Sequence, residues 1–514
     1  MPDSPNDNNN HQGNNLRVRR IALDTHDQPV IITHRNSPVC RSEGFAAHAR
    51  VRLAHRDHSV IATLYQLESD LLDEHEAALS EAAWNRLEVN EGDLIHISHP
   101  QPLDSLGWVR GRVFGRRFEH GDLHAIIRDI AAGRYADIHL AMLLTAMATK
   151  DLDDDELISL TEAMIDAGER LQWDRPVIAD KHCVGGLPGN RTTPLVVAIV
   201  TACGIWMPKT SSRAITSPAG TADTMETLAP VDLDLAAMRR VVEREGGCVA
   251  WGGAVRLSPV DDMLIRVARV MDLDAEAQLV ASVMSKKIAA GSSHLVLDLP
   301  IGPTAKVRSE EAGRHLARRL EIVAGAFDLD TRILLTDGRQ PVGHGIGPAL
   351  EAEDILAVLD NSSRQPLDLR SRAIALAAEL LELVGAAEPG AGKQMATETL
   401  DSGRAAAKFR AICEAQGGMR QPPQAGRTHV VTATRSGSVK AIDNRRLGRI
   451  AKLAGAPAAR AAGVRLHVHL DEAVEVGQPI YTIHAETAGE LNYAREYSGS
   501  NGDIIVLDEI GEQC

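Results

Sequence analysis

The chain is poor in aromatic residues. Phe, Trp and Tyr number five each and make up 3% of its 514 residues. Proteins that grip single-stranded nucleic acid stack bases on aromatic rings, so this scarcity argues against that class. Positive charge is short as well: 55 Lys and Arg face 70 Asp and Glu, a formal net charge of −15. A chain so charged is not expected to wrap nucleic acid or lie on an anionic membrane. An anionic substrate would need a local positive field. The six cysteines, Cys40, Cys183, Cys203, Cys248, Cys413 and Cys514, form no CxxC pair and no metal-type spacing. Reduced thiols and no bound metal are the expectation. No apolar run approaches the ~20 residues of a membrane span. The N-terminal "MPDSPNDNNNHQGNN" is polar, lacks the apolar core of a signal peptide and reads as a disordered tail over 1–15. Together these features point to the cytoplasm.

What is present fits a multidomain α/β protein. Hydrophobic residues reach 44% and charged ones 24%, and the length implies two to four domains. Residues 16–115 read as a small β domain, with "VIITHR", "SVIATLYQL", "DLIHISH" and "WVRGRVFG" as strands. Its histidines, among them His48, His55, His58, His96 and His99, lack ligand spacing and read as surface or core residues. Helical periodicity takes over across 116–174, in "LHAIIRDIAAG", "DIHLAMLLTAMAT" and "DELISLTEAMIDAGERL". Over 175–257 and 291–424, strand, loop and helix alternate. That pattern predicts a mainly parallel sheet with its ligand outside the carboxyl ends of the strands. Residues 258–290 are helical and are expected to return to the first helical region, making that domain discontinuous. After a Pro- and Gln-rich linker, 428–514 reads as a C-terminal α+β domain. There His467 and His469 fall on one strand face without a third ligand.

Two successive loops attract attention. "DKHCVGGLPGNRTTPLVV" and "SRAITSPAGTADTMETLA" each run into a helix. A helix N-terminus presents unpaired N–H groups, and glycines let backbone approach a ligand. The loops carry Lys181, Thr193, Ser212, Arg213, Ser217 and Thr221, enough hydroxyls and cations to encircle a phosphate. The first loop is not a P-loop, because Asn190-Arg191 stands where that motif needs Gly-Lys. For Ser212 or Thr221 alone, helix capping is an equal reading.

Five stretches, "KHCVGGLPGN", "KTSSRAITSPAGTADTMETLAPV", "GGCVAWGGAVRLSPVDD", "LVASVMSKKIAAGSSHLVLDLPIGPTAKV" and "TDGRQPVGHGIG", carry a resemblance to the thymidine phosphorylase family. They are most similar to its long branch, which holds AMP phosphorylase and the type-2 thymidine phosphorylases. The resemblance runs from about residue 20 to 500. It implies attack of phosphate on an anomeric carbon, departure of a base, and formation of a sugar 1-phosphate. It also implies an α domain beside an α/β domain with a cleft between them. Partners would be a nucleoside or nucleotide and phosphate, and the assembly a homodimer or larger. No cofactor is implied, since phosphate is a substrate.

By the same resemblance Lys181, Ser212, Thr193 and Thr221 hold phosphate. Gly186 and the run Ser212, Arg213, Ala214, Ile215, Thr216, Ser217 contact substrate. His182 assists the leaving base or lines the wall. Ser282 and Lys286, four apart on one helix face, bind the base. Asp274 matches a proton donor, with a helix N-cap as the competing reading, and Lys306 matches a further ligand. Two positions depart from the pattern. Cys183 replaces a serine, and a thiol is the poorer donor. Val267 stands where the short pyrimidine enzymes place an arginine, while Arg266 and Arg269 point elsewhere. Arg213 and Lys306 would suit a substrate with its own 5′-phosphate. The competing readings are a phosphoribosyltransferase of similar architecture and a nucleotide-sensing protein without chemistry.

Overall fold

The computed structural model describes residues 14–508 apart from His26, Ile215, Thr216, Arg256, Asp272 and Asp274. The chain divides into two units, Met1–Gly111 with Arg128–His139, and Arg112–Ile127 with Leu140–Cys514.

The first unit holds a closed six-stranded barrel. Its strands are β1 (Asn15–Leu23), β2 (Val30–His34), β3 (Arg50–His55), β4 (His58–Leu67), β5 (Glu76–Ser80) and β6 (Leu94–Ser98), in the order β1-β5-β2-β4-β3-β6. Alternation fills it: Val51 and Leu53 point in while Arg52 between them points out, and Ile95 and Ile97 are fully buried. Closure removes the sticky edges of an open sheet. The histidines here have protein partners: His55 Nε2 lies 3.5 Å from Asp93, and His99 Nε2 lies 3.1 Å from the Glu43 carbonyl. "WVRGRVFG" is not a strand. It belongs to the helix Ser105–Val113, in which Ser105, Val109 and Arg112 are buried at helical spacing. Its valines suggest a strand, but Arg112 decides the outcome. Fully buried, it donates to Glu156 at 2.9 Å and to the Lys150 and Asp151 carbonyls at 2.8 Å each.

In the second unit, Asp153 opens the helix Asp154–Asp166 with a capping box to Glu156. The helix Glu276–Ala289 returns to this region and packs on Asp154–Asp166, and the helix Pro259–Met271 meets it through Asp261, whose carboxylate accepts from Gln278 at 3.2 Å. The α/β part carries β7 (Ala179–Cys183), β8 (Met207–Ser211), β9 (Gly247–Trp251), β10 (His294–Ile301) and β11 (Asp330–Asp337). All pair in parallel, as β11-β10-β7 and as β8-β9, and a bridge between Ile178 and Trp206 joins the two sets. The helix Thr192–Ala202, buried at all but its last residue, lies in the core of this layer. The C-terminal part packs the helices Asn444–Leu453 and Ala488–Ser500 against antiparallel strands. Its strand Gly463–Leu466 ends before His467 and His469, so the expected shared strand face does not form. His467 Nε2 instead sits 2.7 Å from the Thr482 hydroxyl.

Candidate active site

Strand order places the site. From β7 the chain moves through β8 and β9 to one side, and β10 and β11 lie on the other. The order therefore reverses at β7, and ligands of such sheets bind where it does. The loops after β7, β10 and β11 meet there because glycines allow it. A Cβ on Gly186 would lie 2.9 Å from the Lys306 backbone nitrogen, and one on Gly189 only 2.4 Å from the Val342 carbonyl. Both glycines have left-handed φ, +87° and +71°. Asn444 of the C-terminal part fastens the rim from outside, donating to Thr304 Oγ1 and to the Gly338 carbonyl, each at 3.0 Å.

Alternation along β7 gives two chemical faces. Lys181 is fully buried, and its ammonium donates to Thr192 Oγ1 at 2.7 Å and to Thr193 Oγ1 at 3.5 Å. Burial pushes its pKa down, partly offset by Cys183 and Asp298. Asp298 is engaged elsewhere, accepting from Asn190 at 3.0 Å and Thr336 at 2.6 Å. Cys183 Sγ accepts from the same Asn190 amide at 3.2 Å, and burial, with Asp298, pushes its thiol up to about 12. It is a neutral thiol, unfit as a nucleophile.

The other face carries Asp180 and His182. Asp180 is buried between Lys209 at 3.2 Å and Lys287 at 2.9 Å. Burial would raise its pKa, but the two ammonium groups hold it below the usual carboxylate range. Lys287 is lowered, first by burial and then by Lys209, against the pull of Asp180. Half-buried His182 is held well below its ordinary value by burial and by Lys287, Lys209, Lys181 and Lys286. Its imidazole is neutral near pH 7.

The second loop is built around Asp223, whose carboxylate accepts from the Ala214 N–H at 2.6 Å and the Gly220 N–H at 2.8 Å. Arg191 ties this loop to the first. It donates to Thr221 Oγ1 at 3.1 Å, to the Ala219 carbonyl at 3.0 Å and to Glu351 at 2.6 Å. Ser217 donates to the Ala219 carbonyl at 2.9 Å, and Ser212 is exposed just past β8. Arg213 faces Glu226 at 2.7 Å, Asp232 at 3.3 Å and Asp223 at 3.5 Å, and stacks on Trp251. Its charge is spent on carboxylates. Ile215 and Thr216 lie outside the described residues.

On the helix Glu276–Ala289, Ser282 is buried one turn before Lys286. Burial would lower the Lys286 pKa, but an ion pair with fully buried Asp261 holds it above its ordinary value. Asp274 lies outside the described residues. Val267 is buried in the helix Pro259–Met271, whereas Arg269 is exposed.

Sequence reasoning missed several residues here. Thr192 is the nearer partner of Lys181, and Ser211 has a buried hydroxyl without a hydrogen-bond partner among the described residues. Ser211 is the inward-facing last residue of a strand, a signal that the adjacent serine obscured. The lysine cluster around Asp180 had no local pattern, since Lys209 and Lys287 come from distant segments.

Comparisons with known proteins agree with this architecture. Residues 111–168 match the helical bundle domain of the glycosyl transferase family, 175–406 its a/b domain, and 438–498 the pyrimidine nucleoside phosphorylase C-terminal domain. Two relatives carry the name "Putative thymidine phosphorylase". One, from Chelativorans sp. (strain BNC1), is 58% identical over 494 residues, covering 96% of this chain and 97% of its own. The other, from Polaromonas sp. (strain JS666 / ATCC BAA-500), is 58% identical over 495 residues with the same coverage. A solved structure, anthranilate phosphoribosyltransferase from Thermus thermophilus, overlays with a TM-score of 0.49 at 20% identity, over 60% of this chain and 98% of that one. Domain order and full-length identity both place this chain, a pentosyltransferase, in the thymidine/pyrimidine-nucleoside phosphorylase family.

Proposed function

We propose that the protein catalyses phosphorolysis of a nucleoside, with phosphate held at the β7 edge. The observation that carries this reading is Lys181: a fully buried ammonium whose hydrogen bonds go to two threonine hydroxyls. A buried cation of this kind is poorly compensated until an anion arrives. In the proposed reaction a phosphate oxygen attacks the anomeric carbon and the C–N bond breaks. The bonding electrons pass to the base, which then takes a proton. Neutral His182 would donate a hydrogen bond to the base, and Ser282 with Lys286 would hold its edge. Asp274 is the proposed proton donor, since protonation improves the leaving group. No metal or organic cofactor enters the proposed chemistry, and a cytoplasmic homo-oligomer is the proposed form.

Among substrates, an unphosphorylated thymidine-like nucleoside fits best, because Arg213 is already paired with Glu226, Asp232 and Asp223. A nucleoside 5′-monophosphate such as AMP is the second reading, supported by the close approach of Lys306 to Gly186. The test is base release followed by chromatography, with and without phosphate, from thymidine, uridine, AMP, CMP and UMP. Phosphate-dependent release from thymidine or uridine is expected. Release from monophosphates alone would transfer the assignment to the second reading, and release from none would refute both.

A further inference from the structure

A second cluster of polar side chains lies on the helical layer. His120 and His124 are four residues apart on the helix His120–Ala131, hence on one face, with ring centroids 4.3 Å apart. Glu162, on the helix Asp154–Asp166, faces both rings. Its Oε2 is 3.5 Å from His124 Nε2 and 3.8 Å from His120 Nδ1. One ligand atom from each of the three lies within 4.8 Å of the others. Zinc–ligand bonds of ~2.0–2.1 Å give tetrahedral edges of about 3.4 Å, so the two Glu162 contacts already lie within a few tenths of an ångström of that spacing, and the histidine nitrogens would close to it on binding.

Two details point to a ligand rather than a plain ion pair. His124 Nε2 is buried and has no hydrogen-bond partner among the described residues. Behind it, Asp166 Oδ2 lies 3.8 Å from the other ring nitrogen, Nδ1. At 3.8 Å this is an electrostatic contact and not a hydrogen bond; the carboxylate favours a proton on Nδ1, which leaves Nε2 to ligate. Arg170 engages only the opposite oxygen of Asp166, at 2.5 Å. Ser159 Oγ sits 3.0 Å from His120 Nδ1 and 3.4 Å from the His120 carbonyl, which can take the hydroxyl hydrogen when a cation holds the ring. A comparable trio, Asp151, Glu276 and His315, is already served by a cation: Arg319 lies 3.3 Å from Asp151 and 3.2 Å from Glu276.

We propose that His120, His124 and Glu162 bind a divalent transition cation, best matched by zinc, which clips the helix His120–Ala131 to Asp154–Asp166. Two imidazoles and one carboxylate suit such a cation, with water in the fourth position. The site takes no part in the proposed phosphorolysis. Because Asp154–Asp166 packs on the helix bearing Ser282 and Lys286, the clip would brace that helix from behind.

The test uses the untagged full-length chain, stripped with a chelator and titrated with zinc chloride against a chromophoric competitor. Thermal melts with and without zinc provide the second readout. One tight equivalent per chain is expected, with a zinc-dependent rise in Tm. Glu162→Gln and His124→Ala should each remove that equivalent, and Glu162→Gln alters a partly exposed side chain and should fold normally. Asp166→Asn removes a charge that lies 3.8 Å from His124 and should weaken binding by less than about 10-fold. His315→Ala should leave binding unchanged. Retention of the equivalent by folded Glu162→Gln, or its loss in His315→Ala alone, would overturn the proposal.

Discussion

Replacing Lys181 with methionine separates binding from folding. The ammonium is fully buried and bonds Thr192 and Thr193, so methionine keeps most of the volume and removes only the charge and its donors. Loss of one partner of a buried, hydrogen-bonded charge pair costs about 2–5 kcal/mol of binding. At 1.4 kcal/mol per decade, phosphate affinity should fall about 30- to 4,000-fold. Stability should respond in the other direction. An apolar replacement relieves the burial of the charge, against about 1 kcal/mol for the Thr192 hydroxyl left without its donor. The pH dependence follows from the depressed pKa. Below the folded-state value both states are protonated. Between that value and the unfolded value near 10.4 the unfolded chain binds more protons, so wild-type stability rises with pH there. The variant loses that rise. Phosphate KM from base release, and urea unfolding at pH 7 and pH 9, check both halves. An unchanged phosphate KM would refute Lys181 as the phosphate cation. A collapse of stability at pH 7 would make it a structural residue.

Asp180→Asn leaves Lys209 and Lys287 buried without their carboxylate, and should destabilise the α/β part by about 3–5 kcal/mol in urea unfolding. A loss below about 1 kcal/mol would mean the lysines deprotonate at little cost. Arg191→Lys cannot reproduce the simultaneous contacts to Glu351, Thr221 and Ala219, and kcat/KM should fall about 10- to 100-fold as the two loops uncouple. Wild-type kinetics in that variant would refute the coupling. Cys183, with its thiol pushed up to about 12, should resist iodoacetamide in the folded protein at pH 8. Rapid labelling read by mass spectrometry would contradict the neutral thiol. Because the folded-state pKa of His182 is depressed, kcat/KM should show no inflection from His182 between pH 6 and pH 8. An inflection near 6.5 that disappears in His182→Asn would contradict that placement.

The sequence made local features legible and left distant ones hidden. The helix Thr192–Ala202 and the helix Asp154–Asp166 each sit within one segment, so a short apolar stretch and helical periodicity exposed them. The strand β1, "NLRVRRIAL", went unread because its outward positions are arginines, and the barrel context that makes this acceptable is non-local. "WVRGRVFG" was misread because a residue's partner matters more than its propensity: Glu156, far along the chain, fixes Arg112 on a helix. The same holds at the site. The glycine loops announced themselves, whereas the Lys209–Asp180–Lys287 cluster exists only after three segments meet.

That cluster bears on the chemistry of the whole cleft. Lys181, Lys209 and Lys287 are nearly inaccessible in a chain of net charge −15, and each buried cation costs several kcal/mol unless it is paired. Lys209 and Lys287 have that pair in Asp180, whereas the hydrogen bonds of Lys181 go to threonine hydroxyls. In the proposed reaction phosphate is the better nucleophile when unprotonated, and the Lys181 ammonium would favour that form. Those lysines also lie close enough to His182 to suppress its imidazolium form. A single region cannot both hold phosphate dianionic and keep an imidazolium ready as an acid. In the proposed reaction the proton for the departing base therefore comes from a group other than His182. A carboxyl suits that role where a histidine among lysines does not. In the sequence, Asp274 stands between the helices Pro259–Met271 and Glu276–Ala289, eight residues before Ser282. The proposed reaction thus divides its labour between a phosphate held by Lys181 and the Asp274 carboxyl.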